Sequence, residues 1–308
     1  MKKSASLFAL FIVATASPVL GADLSAQKAP LVAPTAPPLW AGAYVGLNAG
    51  GTFGAGAAPH AQTWNLAQPV SNAGTALTAL ASGSATGASA NAGFIGGGQI
   101  GYNWQIALRG VALVTGVEAD IQGVAASAGG ANRWTAANTD YFGQPVSLFS
   151  TPRGSANLTY IGTVRGRLGV TVTPTLLVYG TGGLAYGGVN ASMQNSQLWV
   201  TTGGPKAGYN SAILGGSSSG ATRVGWTAGG GVEWMFLPNW SAKAEYLYYD
   251  LGNVTGAFVS NYYGVGGFAG NSGVQNATSY TARASGNIAR LGVNYHFNLG
   301  APPVVAKF

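Results

Sequence analysis

The chain has 308 residues, no cysteine, and only 7% charged residues, with 14 Lys+Arg against 7 Asp+Glu. An ordinary soluble domain carries about 25% charge, and a water-facing surface needs that charge for solubility, so most of this outer surface is expected not to meet water. The absence of cysteine excludes disulfides, thiolate metal sites and a cysteine nucleophile, and the basic residues are too dispersed for a nucleic-acid surface.

In chain order, Met1-Lys2-Lys3 is a basic start, Leu7 to Thr15 is a short apolar core, and Leu20-Gly21-Ala22 offers small residues for cleavage. Residues 1–22 therefore read as a signal peptide, too short to span a membrane. Without Lys2 and Lys3 the formal charge falls from +7 to +5. Residues 23–39 are rich in Pro and Ala and read as an extended lead-in. Period-two alternation then predicts eight strands, at 40–54, 93–106, 112–123, 156–172, 175–189, 221–237, 239–252 and 285–298. A tail, 299–308, follows.

The segment 223–252 shows the pattern in its clearest form. Val224, Trp226, Ala228, Val232, Trp234 and Phe236 share one face, against Arg223, Thr227 and Glu233 on the other. After the Leu237-Pro238-Asn239 turn, Trp240, Ala242, Ala244, Tyr246 and Tyr248 oppose Ser241, Lys243, Glu245 and Tyr249. A helix would need apolar residues three and four apart, so strand is the consistent period. Each run has roughly the 9–11 residues of a tilted membrane-crossing strand. No stretch of about 20 apolar residues follows the leader, which excludes a transmembrane helix there. A closed barrel is then the way to satisfy every backbone group inside a bilayer.

The connections alternate in length. Those typified by Thr173-Pro174-Thr175 and Leu237-Pro238-Asn239 are a few residues long, whereas 55–92, 124–155, 190–220 and 253–284 each exceed twenty residues and are rich in Gly, Ser, Ala, Thr and Asn. Short turns on one side and long loops on the other mark an outer-membrane barrel. The expected fold is all-β: an eight-stranded antiparallel transmembrane β-barrel over 40–298, with short periplasmic turns, four long extracellular loops and a periplasmic lead-in.

With the apolar face toward lipid, the polar parity fills the lumen. It holds Glu118, Asp120, Arg165, Arg167, Glu233, Lys243, Glu245 and Arg290, four acids and four bases. A formally neutral set suits a narrow lumen, because an unpaired buried charge costs several kcal/mol. An eight-stranded barrel is just wide enough for side chains to fill it, so the set reads as a plug; a conducting, ion-selective constriction is the alternative. Trp226, Trp234, Trp240, Tyr246, Tyr248 and Phe297 read as lipid-facing girdle aromatics, with a carbohydrate-binding cluster as the rival reading.

Motifs suggestive of chemistry resolve into strand. Gly96–Gly101 satisfies G-x-G-x-x-G, but Tyr102-Asn103-Trp104 continues the alternation where a nucleotide fold would open a helix. The same holds for Gly180–Ala185. The two histidines, His60 in the first long loop and His296 on the lumen parity, are the candidates for a haem ligand. No metal-binding cluster and no catalytic triad is indicated. No cofactor, metal or catalytic residue is expected.

The chain resembles the alphaproteobacterial family of porin-like, immunogenic outer-membrane proteins with an OmpA-type eight-stranded barrel. The resemblance rests on WAGAYVGLNAGG at Trp40–Gly51, GGQIGYNWQ at Gly97–Gln105, GVEADIQG at Gly116–Gly123 and YIGTVRGRLGV at Tyr160–Val170. It continues through LLVYGTGGLAYG at Leu176–Gly187, GWTAGGGVEWMF at Gly225–Phe236, AEYLYYDLG at Ala244–Gly252 and RLGVNYHF at Arg290–Phe297. It covers nearly all strands and none of the long loops. It implies an outer-membrane location and a structural or surface-antigen role. The expected partners are outer-membrane lipids, lipopolysaccharide and the barrel-assembly machinery, which would read the C-terminal strand at Phe297 or at Phe308. A small-solute porin and a haemin-binding receptor stay open, the latter because related barrels include members described as haemin-binding. What the extracellular loops bind is not written in the sequence.

Overall fold

The computed structural model describes residues 39–55, 60–65, 91–108, 111–125, 130–131, 134–139, 145–205, 207–208, 210–264 and 276–297. The expected signal peptide, most of the expected lead-in, and the expected tail with Phe308 lie outside the described residues. Twelve strands are present among those described: β1 (Gly42–Ala55), β2 (His60–Asn65), β3 (Asn91–Ala107), β4 (Ala112–Ala125), β5 (Gly130–Ala131), β6 (Trp134–Thr139), β7 (Pro145–Ser150), β8 (Arg153–Thr173), β9 (Leu176–Thr201), β10 (Asn210–Leu237), β11 (Trp240–Gly264) and β12 (Asn276–Phe297).

Eight of them close a ring, in the order β1-β3-β4-β8-β9-β10-β11-β12, with β12 returning to β1. Every pairing in the ring is antiparallel. Closure runs from Ala43↔Phe297 to Phe53↔Asn287, so no edge is left at the first or last strand. The short turns fall where Pro fixes φ, at Pro174-Thr175 between β8 and β9 and at Pro238-Asn239 between β10 and β11.

The strands of the ring are longer than alternation alone predicts. Residues 190–201, 210–220, 253–264 and 276–284, expected as loop, continue β9, β10, β11 and β12. Their Ser, Gly and Asn content is poor in strand formers. Pairing overrides that bias because Val189, Ala191, Met193, Ile213, Val254, Phe258, Tyr280 and Ala282 supply buried side chains at alternate positions. The expected loops 55–92 and 124–155 likewise contain strand: β2 pairs with β12, β5 with β8, and β7 with β9 and β6.

The interior is layered. At the short-turn end Trp40, Val114, Leu177, Tyr179 and Met235 form a small apolar cluster. The charged residues fill the middle. Toward the long-strand end Ile95, Ile161, Val189, Met193, Leu247, Tyr249 and Ile288 build a larger apolar core. Three tyrosine rings lie over glycines on the neighbouring strand: Tyr44 over Gly101, Tyr186 over Gly162 and Tyr280 over Gly256, where an added Cβ would approach ring atoms to 2.3, 2.3 and 2.4 Å. A side chain at those glycines would expel the ring.

Candidate functional site: the charged layer of the lumen

Alternation on β4, β8, β10, β11 and β12 brings Glu118, Asp120, Arg165, Arg167, Glu233, Lys243, Glu245 and Arg290 into one layer, all buried. Arg165 is its hub. Its Nη2 donates to Glu118 Oε1 at 2.5 Å and to Asp120 Oδ2 at 2.8 Å, its Nη1 to Glu245 Oε1 at 3.1 Å, and its Nε to Thr163 at 2.9 Å. Arg290 joins Asp120 and Glu245, each at 2.8 Å. Lys243 Nζ reaches both Glu118 oxygens at 2.9 and 3.0 Å. Arg167 pairs with Glu233 at 2.6 Å and stacks its guanidinium 4.0 Å from the Tyr179 ring centre.

Neutral groups complete the layer. Tyr44 donates to Glu118 at 2.7 Å and accepts from Arg167 at 3.1 Å; Tyr179 donates to Glu245 at 3.0 Å. Ser241 and Asn294 both donate to Glu233 Oε1, at 2.6 and 2.7 Å. Asn294 in turn accepts from Gln99, which accepts from Asn48 at 3.0 Å. A buried carboxylate needs donors for its remaining lone pairs, and these side chains provide them. Sequence reading does not single out Tyr44, Tyr179, Gln99, Asn48 or Asn294. Their strand parity was the available signal.

Trp40 closes the short-turn end of this layer. It is fully buried, its indole N–H donates to the Pro174 carbonyl at 3.0 Å, and its backbone N–H donates to Gln105 at 2.9 Å. His296 sits beside it, edge-on at 6.0 Å between ring centres, with Tyr44 at 5.4 Å. Ser241, His296 and Glu233 are neighbours, but Ser241 Oγ and Glu233 Oε1 approach the same ring nitrogen, Nε2, at 2.9 and 3.5 Å. A relay needs the acid on the opposite ring nitrogen, so this trio is a buried hydrogen-bond cluster. His60 is exposed on β2 and paired with Thr281, whereas His296 is paired with Tyr44 at the other end of β12. One ligand cannot engage both. The two glycine motifs lie inside β3 and β9, with no helix after either.

On the outer wall, Trp226, Trp234, Trp240, Tyr246 and Phe297 are exposed, and Tyr248 is half-buried against Trp226, 5.3 Å between ring centres. They fall at two levels. Trp234, Phe236, Trp240, Tyr295 and Phe297 ring the short-turn end, and Phe53, Trp226, Tyr246 and Tyr248 lie toward the long-strand end. The step from Trp226 to Phe236 along β10 spans about 26 Å at ~3.4 Å per residue and ~40° tilt, which matches the apolar band of a bilayer-spanning barrel.

Comparison with known proteins agrees with this geometry. The family described as outer membrane protein beta-barrel domain matches residues 31–297. The chain belongs to that family. This outer-membrane barrel is 35% identical over 254 residues to the 31 kDa outer-membrane immunogenic protein of Brucella melitensis, covering 80% of this chain and 85% of the relative. It is 31% identical over 156 residues to the 22 kDa outer membrane protein of Rhizobium leguminosarum, covering 50% of this chain and 52% of the relative. Among solved structures, Neisserial surface protein A aligns over 83% of this chain and 97% of its own, at 13% identity and a TM-score of 0.25. The barrel resides in the outer membrane, its short turns on the periplasmic side by the rule of such barrels.

Proposed function

We propose that this barrel serves envelope integrity and surface display, with a lumen that passes at most a weak flux of small solutes. The observation that carries the reading is the charged layer: across the bore Arg165 reaches Glu245, Lys243 reaches Glu118 and Arg290 reaches Asp120, with all six side chains buried. An interior of eight strands is narrow enough for such side chains to fill. The name of the Brucella relative, an immunogenic outer-membrane protein, supports surface display. In this reading the partners are outer-membrane lipids and lipopolysaccharide around the aromatic belts, and the barrel-assembly machinery at β12. No catalytic step is part of it.

Single-channel recording in planar bilayers tests the proposal. The refolded barrel should leave the bilayer without stepwise conductance. Robust, regular steps from the monomer would overturn the closed-lumen reading in favour of a small-solute porin.

A further inference from the structure

Beyond the outer aromatic belt the wall turns from apolar to polar on the same strands. β8, β9 and β10 run on in register there, and their outward positions fall in rows: Asn157↔Asn190↔Gly220, Ser155↔Ser192↔Ser218 and Arg153↔Gln194↔Gly216. These positions face outward because Ala191, Met193 and Asn195, the alternate residues of β9, are buried inside. Ser218 stands eight residues beyond Trp226, about 21 Å outside the belt at ~3.4 Å per residue and ~40° tilt. The strip is continuous with the belt through Tyr160, whose ring lies over Gly188 and whose hydroxyl shares a 2.8 Å hydrogen bond with Thr222.

Three observations give this strip a ligand chemistry. First, it is recessed. The β9 amides lie across the β10 glycines: an added Cβ would fall 3.0 Å from Gln194 Cγ at Gly216 and 2.4 Å from Asn190 Oδ1 at Gly220. Beside them is a cleft of about 480 Å³ lined by Ser192, Gln194, Ser196, Gly216 and Ser218, with Leu214 at its far end. Second, its polar groups are hydroxyls and amides, which both donate and accept hydrogen bonds. Third, Arg153 is exposed at the rim, opposite Gln194, and no described acid meets it. Glu118, Asp120, Glu233 and Glu245 are buried in the lumen, and Asp250 is bonded to Arg283 at 2.5 Å.

Rows of hydroxyls and amides match the hydroxyls of a sugar, and the forked donors of an arginine fit a carboxylate or phosphate. A neutral saccharide would leave Arg153 unpaired, and a bare anion would leave the rows unused. A protein partner would bring apolar and aromatic anchors, for which the cleft offers only Leu214. We infer that the outward strip of β8, β9 and β10 docks the anionic core saccharide of an outer-leaflet lipopolysaccharide in the same membrane. Arg153 takes an acidic group of that core, and Ser192, Gln194 and Ser218 take its hydroxyls. The lipid end of such a molecule is already held beside the belt, so the sugar meets the strip at high effective concentration and weak contacts suffice. The inference rests on the reading of lipopolysaccharide as a partner and adds the side chains that would select its core; it does not depend on the lumen being closed.

The test uses the full barrel in detergent micelles, with bound ligand read by native mass spectrometry. The probes are a rough lipopolysaccharide with an acidic, phosphorylated core and lipid A without the core. The released core oligosaccharide and a neutral dextran oligosaccharide serve as competitors. Arg153→Gln should weaken binding of the rough lipopolysaccharide about five- to tenfold, and Gly216→Trp, which fills the cleft with Arg153 intact, should weaken it similarly. Neither should change the binding of lipid A, which reaches only the belt. The released core should compete and the dextran should not. If the unaltered barrel binds neither probe, the partnership with lipopolysaccharide falls and the inference with it. If it binds both, but the variants bind the rough form unchanged or lose lipid A equally, the docking strip alone is overturned. Competition by dextran as effective as by the released core would overturn it too. Heat-dependent gel migration confirms that each variant is folded before it is scored.

Discussion

Lys243 and Glu118 stand on β11 and β4, four strands apart in either direction round the ring, and the Lys243 ammonium contacts both Glu118 oxygens at 2.9 and 3.0 Å. A salt bridge between diametrically opposite walls crosses the whole bore. It also sets an order of importance within the charged layer. Glu118 faces four cations, Arg165, Arg167, Lys243 and Arg290, whereas Lys243 faces two acids, Glu118 and Glu245.

Removing the carboxylate should therefore cost more than removing the ammonium. Glu118→Leu leaves Lys243 and Arg165 short of counter-charge in a buried site, a loss of about 3–5 kcal/mol. Lys243→Met leaves Glu118 with Arg165 and should cost clearly less. Urea unfolding in lipid vesicles, followed by gel mobility, measures both. Equal or reversed costs would show that Glu118 does not carry more of the layer's pairing than Lys243 does.

How far the sequence exposes this arrangement depends on what each residue's position decides. Parity alone sets Glu118, Lys243 and Arg290 opposite the apolar positions of their strands, because side chains alternate strictly along β-structure. That Lys243 meets Glu118, 125 residues away, follows from ring closure and strand stagger, which no local pattern encodes. Tyr179 shows a second limit. Aromatics in such a chain read as membrane-girdle residues, but Tyr179 points inward, where its hydroxyl reaches Glu245 and its ring takes the Arg167 guanidinium. The continuation of β9 and β10 past residue 189 and before residue 221 was hidden for another reason. Their Ser, Gly and Asn content favours loop locally, and only the alternate burial of Ala191 and Met193 in the upper core, and of Ile213 on β10, holds them as strand.

The glycine beneath Tyr44 gives a test of interior packing. A Cβ at Gly101 would meet the Tyr44 ring at 2.3 Å, and that ring carries the hydroxyl bonded to Glu118. Gly101→Ala should destabilise by about 1–3 kcal/mol through overpacking. Gly98→Ala, whose Cβ meets nothing closer than a backbone oxygen at 3.7 Å, should be close to neutral. Paired unfolding curves for the two variants decide it; similar midpoints would mean that Tyr44 relocates without loss.

Facing can be tested on one strand. Ala244 is exposed, midway between Trp240 and Tyr248 on β11, and its ladder partners are the outward residues Leu291 and Val232. Ala244→Arg places a cation near the centre of the apolar band and should cost about 2–4 kcal/mol in bilayer folding. The same substitution at Ser218, outward on β10 but eight residues beyond Trp226, should be tolerated. Equal folding yields for the two would disprove the placement of the membrane band.

Trp40 offers the last prediction, because it joins the chain's entry into the barrel to the closure of its short-turn end. The indole is fully buried against Val114, Leu177 and Met235, and its N–H bond to the Pro174 carbonyl ties β1's approach to the β8–β9 turn. Trp40→Ala removes both the packing and the donor, and should cost about 3–5 kcal/mol. Trp40→Phe keeps most of the packing but loses the donor, so it should cost a smaller amount, near that of one hydrogen bond with its acceptor left behind, about 1–3 kcal/mol. If the indole acts only as a filler, the phenylalanine variant will unfold with the wild type; if it is a tether, the midpoint will fall between wild type and alanine. The second outcome is the one the Pro174 bond requires.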